Sequence, residues 1–98
     1  MFGDMMGKLQ EMQQKSEEVK KRLDTISVEA EVQGVKVIVN GNKKVISIAI
    51  NDEIIQAGDK EQIEDLTLSA IQRAMEKAEK VYESEMQNIA KGMLPGMR

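Results

Sequence analysis

Apolar residues near the start of the chain recur at alternating spacings of four and three. The set is Met5, Leu9, Met12, Ser16, Val19, Leu23 and Ile26, in which Ser16 is the one polar member. This spacing is typical of a narrow coiled-coil seam along one face of a helix. It predicts a first helix over about residues 4–24.

The apolar pattern then changes from a helical to an alternating period between residues 27 and 50. Alternation with turn residues between the runs predicts a three-stranded antiparallel meander. One face is expected to be apolar throughout. Its residues are Val28, Ala30, Val32, Val35, Val37, Val39, Ile46, Ile48 and Ile50.

Two short turns set the register that we expect between the strands. A two-residue turn at Gln33–Gly34 places Val32 opposite Val35. A two-residue turn at Gly41–Asn42 places Val35 opposite Ile48. Slipping either turn by one residue would mix the two faces of the sheet.

The other face of the sheet is polar except for Ile38, Val45 and Ala49. This patch is a candidate subunit interface. An ordinary half-exposed sheet face explains it equally well.

A long stretch from Asp59 to Lys91 contains no glycine and no proline. A helix of that length would extend roughly 50 Å, whereas a compact domain of this size is roughly 35 Å across. The helix must therefore project, and it needs a partner or a ligand. Asp59 is the expected N-cap, with Gln62 at the capping-box position, and a tail is expected over residues 92–98.

Two apolar flanks run along this long helix. One contains Ile63, Leu66, Ala70, Ala74 and Val81, and the other contains Ile71, Met75, Ala78, Tyr82 and Ile89. Together they form a sector wider than the usual apolar stripe. One flank is expected to cover the sheet and the other to meet a second helix or subunit, so Ile71, Met75 and Tyr82 are candidate dimer contacts.

A separate stripe on the long helix holds bases and neutral hydrogen-bonding residues but no acid. Its members are Arg73, Lys77, Lys80, Ser84, Gln87 and Lys91. Bases in a row can contact the phosphates of a nucleic acid. A solvated helix face explains the stripe as well, and the residues alone do not choose between these interpretations.

Composition excludes most catalytic chemistry. The chain has no histidine and no cysteine, and its net charge is −3. It therefore lacks the usual general base, thiolate nucleophile and zinc ligands, and we expect no catalytic site, no metal site and no cofactor. No apolar run is long enough for a membrane span, and the first residues lack a signal-peptide pattern, so a soluble cytoplasmic protein is expected.

Three segments of the sequence resemble the YbaB/EbfC family of bacterial nucleoid-associated proteins. They are VKVIVNGNKKVISIAIND (Val35 to Asp52), DKEQIEDLTLSAIQRAMEKAEKV (Asp59 to Val81) and GMLPGM (Gly92 to Met97). Their order and spacing cover nearly the whole chain. The chain departs from the family at Glu31–Gly34, where many members have a run of glycines, so a tighter first turn is expected.

The resemblance implies a single α+β domain over residues 1–98, with an N-terminal helix, a three-stranded meander and a long C-terminal helix. It implies a tweezer-like homodimer that binds double-stranded DNA with little sequence preference, in a nucleoid-organising or regulatory role. It implies no enzyme activity, no cofactor, no small-molecule substrate and no membrane partner, and a location at the nucleoid in the cytoplasm. The candidate DNA contacts are Arg73, Lys77 and Lys80 on the long helix, and Lys8, Lys15 and Arg22 on the first helix.

Two other functions remain open from the sequence. A prefoldin-like holdase would grip client proteins through apolar helix tips. The residues available for that role are Met5, Met6, Met86 and Met93. A purely structural assembly would use the seam of the first helix.

Overall fold

The computed structural model describes residues 2–93, with side-chain environments for residues 6–91. The elements in chain order are helix α1 (Phe2–Thr25), strands β1 (Ser27–Val32), β2 (Val35–Asn40) and β3 (Val45–Ile50), helix α2 (Asp52–Ala57) and helix α3 (Lys60–Met93). The strands form one antiparallel sheet in the order β1-β2-β3. The predicted α+β arrangement of helix, meander and long helix is confirmed.

The first turn joins β1 to β2 in two residues, as predicted. Gln33 and Gly34 both have positive φ, at 47° and 94°, as the two central residues of a type I′ hairpin turn require. Val32 lies opposite Val35. A side chain at position 34 would meet Ile54 of α2, because its Cβ would lie 2.7 Å from the Ile54 Cδ1 atom.

The second turn is longer than predicted, and the two-residue turn at Gly41–Asn42 is wrong. The Asn40 amide donates to the Lys44 carbonyl at 2.9 Å, so the loop has three residues and ends in Lys43 at φ 66°. Such a loop is a type I turn followed by a left-handed residue. The predicted register is wrong as well, since Val35 lies opposite Ile50.

A β-bulge explains why Ile48 and Ile50 nevertheless lie on the predicted face, although Val45 does not. Ile38 lies opposite Ser47 and Val39 lies opposite Val45, so Ile46 is an extra residue in β3. The longer loop alone would exchange the two faces of the strand. The bulge adds a second one-residue shift, and Ile48 therefore shares the face of Val37.

The core lies between α3 and the first two strands. Small residues of α3 allow it to approach the sheet closely, and the side chains on both sides are buried. The buried cluster is Ala30, Val32, Val35, Val37, Val39, Ala70, Ala74 and Ala78. The half of α3 that carries these alanines thus lies over β1 and β2.

The third strand keeps its apolar face exposed. A helix is about 10–12 Å wide and neighbouring strands are about 4.8 Å apart, so one helix covers roughly two strands. Ile46 is 55% exposed and Ile48 is 45% exposed. β3 is also an edge strand and contains no charged residue.

Helix α1 is attached to the sheet through the second turn. The Gly41 amide donates to the Leu23 carbonyl at 2.9 Å and to the Ile26 carbonyl at 2.8 Å. The Asn42 Nδ2 atom donates to the Lys20 carbonyl at 2.8 Å and to the Asp24 carboxylate at 2.6 Å. These bonds satisfy carbonyls that the end of a helix leaves without partners.

The seam of α1 is buried only near its C-terminal end. Val19 is 7% exposed and Leu23 is fully buried, whereas Leu9 is 58% exposed and Met12 is 49% exposed. The side chain of Met5 lies outside the described residues. Most of the first half of α1 is therefore in contact with solvent.

The molecule is elongated along α3. It measures 67 × 25 × 19 Å, with a radius of gyration of 19.2 Å, against about 13 Å for a compact domain of this length. Asp59 caps α3 by accepting from the Gln62 amide at 3.1 Å. The prediction of a projecting long helix is confirmed, although the helix continues to Met93 and the rest of the predicted tail lies beyond the described residues.

Candidate nucleic-acid interface and subunit surface

The basic stripe of α3 lies along the β1 side of the helix. The Lys77 Nζ atom donates to the Glu29 carbonyl of β1 at 2.8 Å. Arg73 and Lys80 are exposed, and among residues 6–91 neither lies within ion-pair distance of a carboxylate. These two charges are therefore available to a ligand, whereas Lys77 already has a partner.

The three candidate bases of α1 have different surroundings. Lys8 and Lys15 are exposed. Arg22 forms an ion pair with Glu85 of α3, in which the Glu85 side chain is only 18% exposed. Arg22 thus links the two helices, and its charge is already balanced.

A cleft between α1 and α3 lies next to this ion pair. It has a volume of about 330 Å³ and is lined by Lys15, Glu18, Val19, Arg22, Asn88 and Ile89. The lining is mixed, with two bases, one acid and two aliphatic residues. The structure therefore brings Lys15 and Arg22 together, but at a distance along α3 from Arg73.

A second basic cluster, which we did not predict, surrounds the second turn. Lys20, Asp24, Asn42, Lys43, Lys44 and Tyr82 line a cavity of about 500 Å³. The Lys43 Nζ atom lies 4.7 Å from the centre of the Tyr82 ring, within the range of a cation–π contact. The turn carried no local signal for this cluster, because Lys20 and Tyr82 join it only through the tertiary fold.

The candidate dimer residues of α3 lie on the flank opposite Lys77. Successive helical residues are about 100° apart around the helix axis, so Ile71 and Met75 lie on a different side of α3 from Lys77. Both are half-buried against the edge of the core. Tyr82 is half-buried on the same flank and contacts Lys43.

The candidate dimer residues of the sheet do not form one patch. Ile38 is half-buried and Ala49 is exposed, and the register places both on the face away from α3. Val45 is 39% exposed, but it lies opposite Val39, whose side chain is in the core. The bulge thus separates Val45 from the other two residues.

Three large apolar residues that we did not propose as dimer contacts are exposed on the side where α3 leaves β3 uncovered. Ile46 and Ile48 lie on the uncovered face of β3, and Leu68 of α3 is 56% exposed on the same flank as Ile71 and Met75. We refer to Ile46, Ile48 and Leu68 as the β3 patch. One helix is wide enough to cover only about two strands. The exposed apolar face of β3 could therefore have been predicted from the sequence.

Comparison with known proteins agrees with this fold. The YbaB/EbfC DNA-binding family model matches residues 1–93. Proteins named "nucleoid-associated protein" are similar to the chain: one from Flavobacterium johnsoniae is 43% identical over 95% of this chain and 88% of that protein, and one from Chlorobium phaeobacteroides is 40% identical over 97% of this chain and 86% of that protein.

A solved structure has the same fold. The crystal structure of the uncharacterized protein HP0035 from Helicobacter pylori superposes on this chain with a TM-score of 0.76 at 20% sequence identity. The superposition covers 95% of this chain and 96% of the Helicobacter pylori chain. Between residues 2 and 93, no helix is long and apolar enough to cross a membrane.

Proposed function

Because the chain belongs to the YbaB/EbfC DNA-binding family, whose members are not enzymes, we propose that it binds double-stranded DNA as a homodimer with little sequence preference. Its location is the nucleoid, and its role there is to organise DNA or regulate genes. Phosphate contacts from lysine and arginine supply binding that does not depend on sequence. The chain has a net charge of −3, so binding must rely on local basic surfaces.

The observation that supports the homodimer is the β3 patch. Ile46, Ile48 and Leu68 are each 45% or more exposed, and Leu68 lies on the same flank of α3 as the half-buried Ile71 and Met75. An uncharged edge strand with an apolar face is a surface that natural proteins usually cover. A second copy of the chain covers the patch in this proposal, and α1 and α3 of each copy extend away from the joined sheets.

The exposed bases of α3 are the proposed DNA contacts along the projecting part of the molecule. Arg73 and Lys80 are exposed and have no ion-pair partner among residues 6–91. Lys77 can exchange the Glu29 carbonyl for a phosphate, and Lys8 and Lys15 extend the basic surface onto α1. Arg22 contributes less to DNA binding than the others, since Glu85 already balances its charge.

Fluorescence anisotropy with several duplexes of unrelated sequence tests this function. We expect similar affinities for all of them, and a large loss of affinity between about 50 and 200 mM salt. The double substitution Arg73→Gln/Lys80→Gln should weaken binding to every duplex. The matched control is Lys36→Gln/Lys60→Gln, which removes the same charge from two lysines that are already paired with Glu29 and Glu64.

Two results would contradict the proposal. The absence of any duplex binding at low salt, by protein whose fold is verified by circular dichroism, would reject DNA binding. An equal loss of affinity in the control and in the Arg73/Lys80 variant would show that α3 does not contact the phosphates directly.

A protein-binding role is the second candidate, and the exposed seam of α1 favours it. Met6 is 66% exposed, and Leu9 and Met12 continue the apolar surface. Met86 is half-buried, and the side chains of Met5 and Met93 lie outside the described residues. Suppression of client aggregation that is lost in Leu9→Ser/Met12→Ser would support this role. Normal suppression by that variant would reject it.

A further inference from the structure

The second turn carries a cluster of three lysines against one acid. The cavity beside it is lined by Lys20, Lys43 and Lys44, with Asp24 as the single carboxylate. The Asp24 Oδ1 atom already accepts from the side-chain amides of Asn40 and Asn42. Among residues 6–91, none of the three lysines lies within ion-pair distance of a carboxylate.

The loop that carries these lysines is held in place by hydrogen bonds. The Asn40 side chain is buried and accepts from the amides of Asn42 at 2.9 Å and Lys44 at 3.1 Å. Gly41 and Asn42 bind the last turns of α1. The positions of the Lys43 and Lys44 backbones are therefore fixed before any ligand binds, which lowers the entropy lost on binding.

Charge is distributed unevenly along the molecule. Residues 51–72, which contain α2 and the start of α3, hold six acids and one base. The α2 part of this segment lies at the opposite end of the sheet from the lysine cluster, because the Asn51 amide donates to the carbonyl of Gly34 in the first turn and Ile54 lies beside Gly34. A polyanion is therefore repelled from the α2 end and attracted to the end where the second turn meets α1.

The cluster also lies on the same flank of α3 as the β3 patch. Tyr82, which contacts Lys43, is on the flank of Ile71 and Met75, and Lys44 directly precedes the first residue of β3. A second copy seated on the β3 patch would therefore lie on the same side of α3 as the lysine cluster. The basic stripe of α3 lies on the opposite side, next to β1.

From this arrangement we propose that Lys20, Lys43 and Lys44 form a phosphate-binding site for the backbone of duplex DNA, separate from the basic stripe of α3. The inference rests on the proposed DNA-binding function and adds a second contact surface to it. A dimer would carry two copies of the site.

The test compares the salt dependence of duplex binding in variants. Lys43→Asn/Lys44→Gln removes two charges without straining the turn, because asparagine tolerates the positive φ at position 43 better than lysine. Since each phosphate contact contributes about 0.9 to the slope of log K against log salt, the slope should become less steep by about 2 per bound protomer. At about 0.1 M salt, the affinity should fall roughly tenfold to a hundredfold.

Two further variants separate this site from general charge effects. Lys36→Gln/Lys60→Gln makes the same change in net charge away from the second turn, and it should leave the slope nearly unchanged. Lys44→Arg keeps the charge and should keep both slope and affinity. The melting temperature of Lys43→Asn/Lys44→Gln should equal or exceed that of the wild type.

The failures of the two proposals are distinguishable. If the wild type binds no duplex, DNA binding itself is rejected. If the wild type binds and Lys43→Asn/Lys44→Gln binds with the same slope, only the site at the second turn is rejected. Loss of binding by Lys44→Arg, or an equal change of slope in Lys36→Gln/Lys60→Gln, would also overturn this site.

Discussion

Replacing the exposed isoleucines of β3 should separate the proposed dimer without unfolding the chain. In Ile46→Thr/Ile48→Thr, both positions keep a β-branched residue that suits a strand. Ile46 is 55% exposed and Ile48 is 45% exposed in the single chain, so their outer halves contribute little to its own core. The circular dichroism spectrum should remain that of the wild type.

The size of the effect follows from the exposed fractions. Full burial of an isoleucine is worth roughly 1.5–3 kcal/mol, so burial of the exposed half is worth about 1–1.5 kcal/mol. A symmetric dimer buries four such halves, which amounts to about 4–6 kcal/mol. Threonine retains one methyl group of each side chain, so we expect a loss of roughly 3–5 kcal/mol, or a dimer dissociation constant raised about 10²- to 10⁴-fold.

Sedimentation velocity over a concentration series measures this change. The matched control is Ile38→Thr/Ala49→Ser on the opposite face of the sheet, which should leave the dissociation constant close to that of the wild type. A variant at Ile46 and Ile48 that dimerises like the wild type would refute the reasoning. Dissociation of the control alone would instead place the interface on the face of Ile38.

Three further predictions concern the turns and the helix contact. Gln33→Gly should stabilise the chain by about 1 kcal/mol, because a non-glycine residue in the left-handed conformation costs roughly that much. The melting temperature should therefore rise, and a fall would contradict the assigned turn. Gly41→Ala should destabilise the folded chain by about 1–3 kcal/mol. The new Cβ atom would lie 2.8 Å from both the Cδ2 atom and the carbonyl oxygen of Leu23. An unchanged melting temperature would show that the contact with α1 does not form. Arg22→Gln should lower the melting temperature by a few degrees, because the contact with Glu85 is lost. Its duplex affinity should fall less than that of Arg73→Gln/Lys80→Gln. A larger loss of affinity in Arg22→Gln would make Arg22 a direct phosphate contact.

The sequence predicted the helices and strands well where the signal was local. The alternating valines and the Gln33–Gly34 turn gave the register of β1 and β2, because a two-residue turn leaves a single pairing that keeps the faces separate. The cap at Asp59 was likewise predicted from residue type. Each of these features depends on residues within one turn of each other.

The register set by the second turn could not be predicted from the sequence. A three-residue loop and a bulge at Ile46 together shift the register by two residues, and a shift by two preserves the apolar face. The hydrophobic pattern therefore could not distinguish the true register from the predicted one. The longer loop is stabilised by the hydrogen bonds of Gly41 and Asn42 to α1 and by those of the Asn40 side chain to the amides of Asn42 and Lys44.

The candidate site depends on contacts between residues distant in sequence. The ion-pair partner of Arg22 is Glu85 of α3, which is far away along the chain. The contact between Lys43 of the second turn and Tyr82 of α3 likewise joins residues that are distant in sequence. The stripe of α3 was visible from the sequence because it needs only the period of one helix.

The mass of the protein bound to a short duplex is the decisive measurement for a DNA-binding dimer. Each chain has a mass of 11.0 kDa. Sedimentation of the free protein and of its complex with one duplex should give two chains in both cases, with a complex that dissociates as salt is added. A single chain in the complex, or a complex that salt does not weaken, would contradict a dimer that binds DNA through its phosphates.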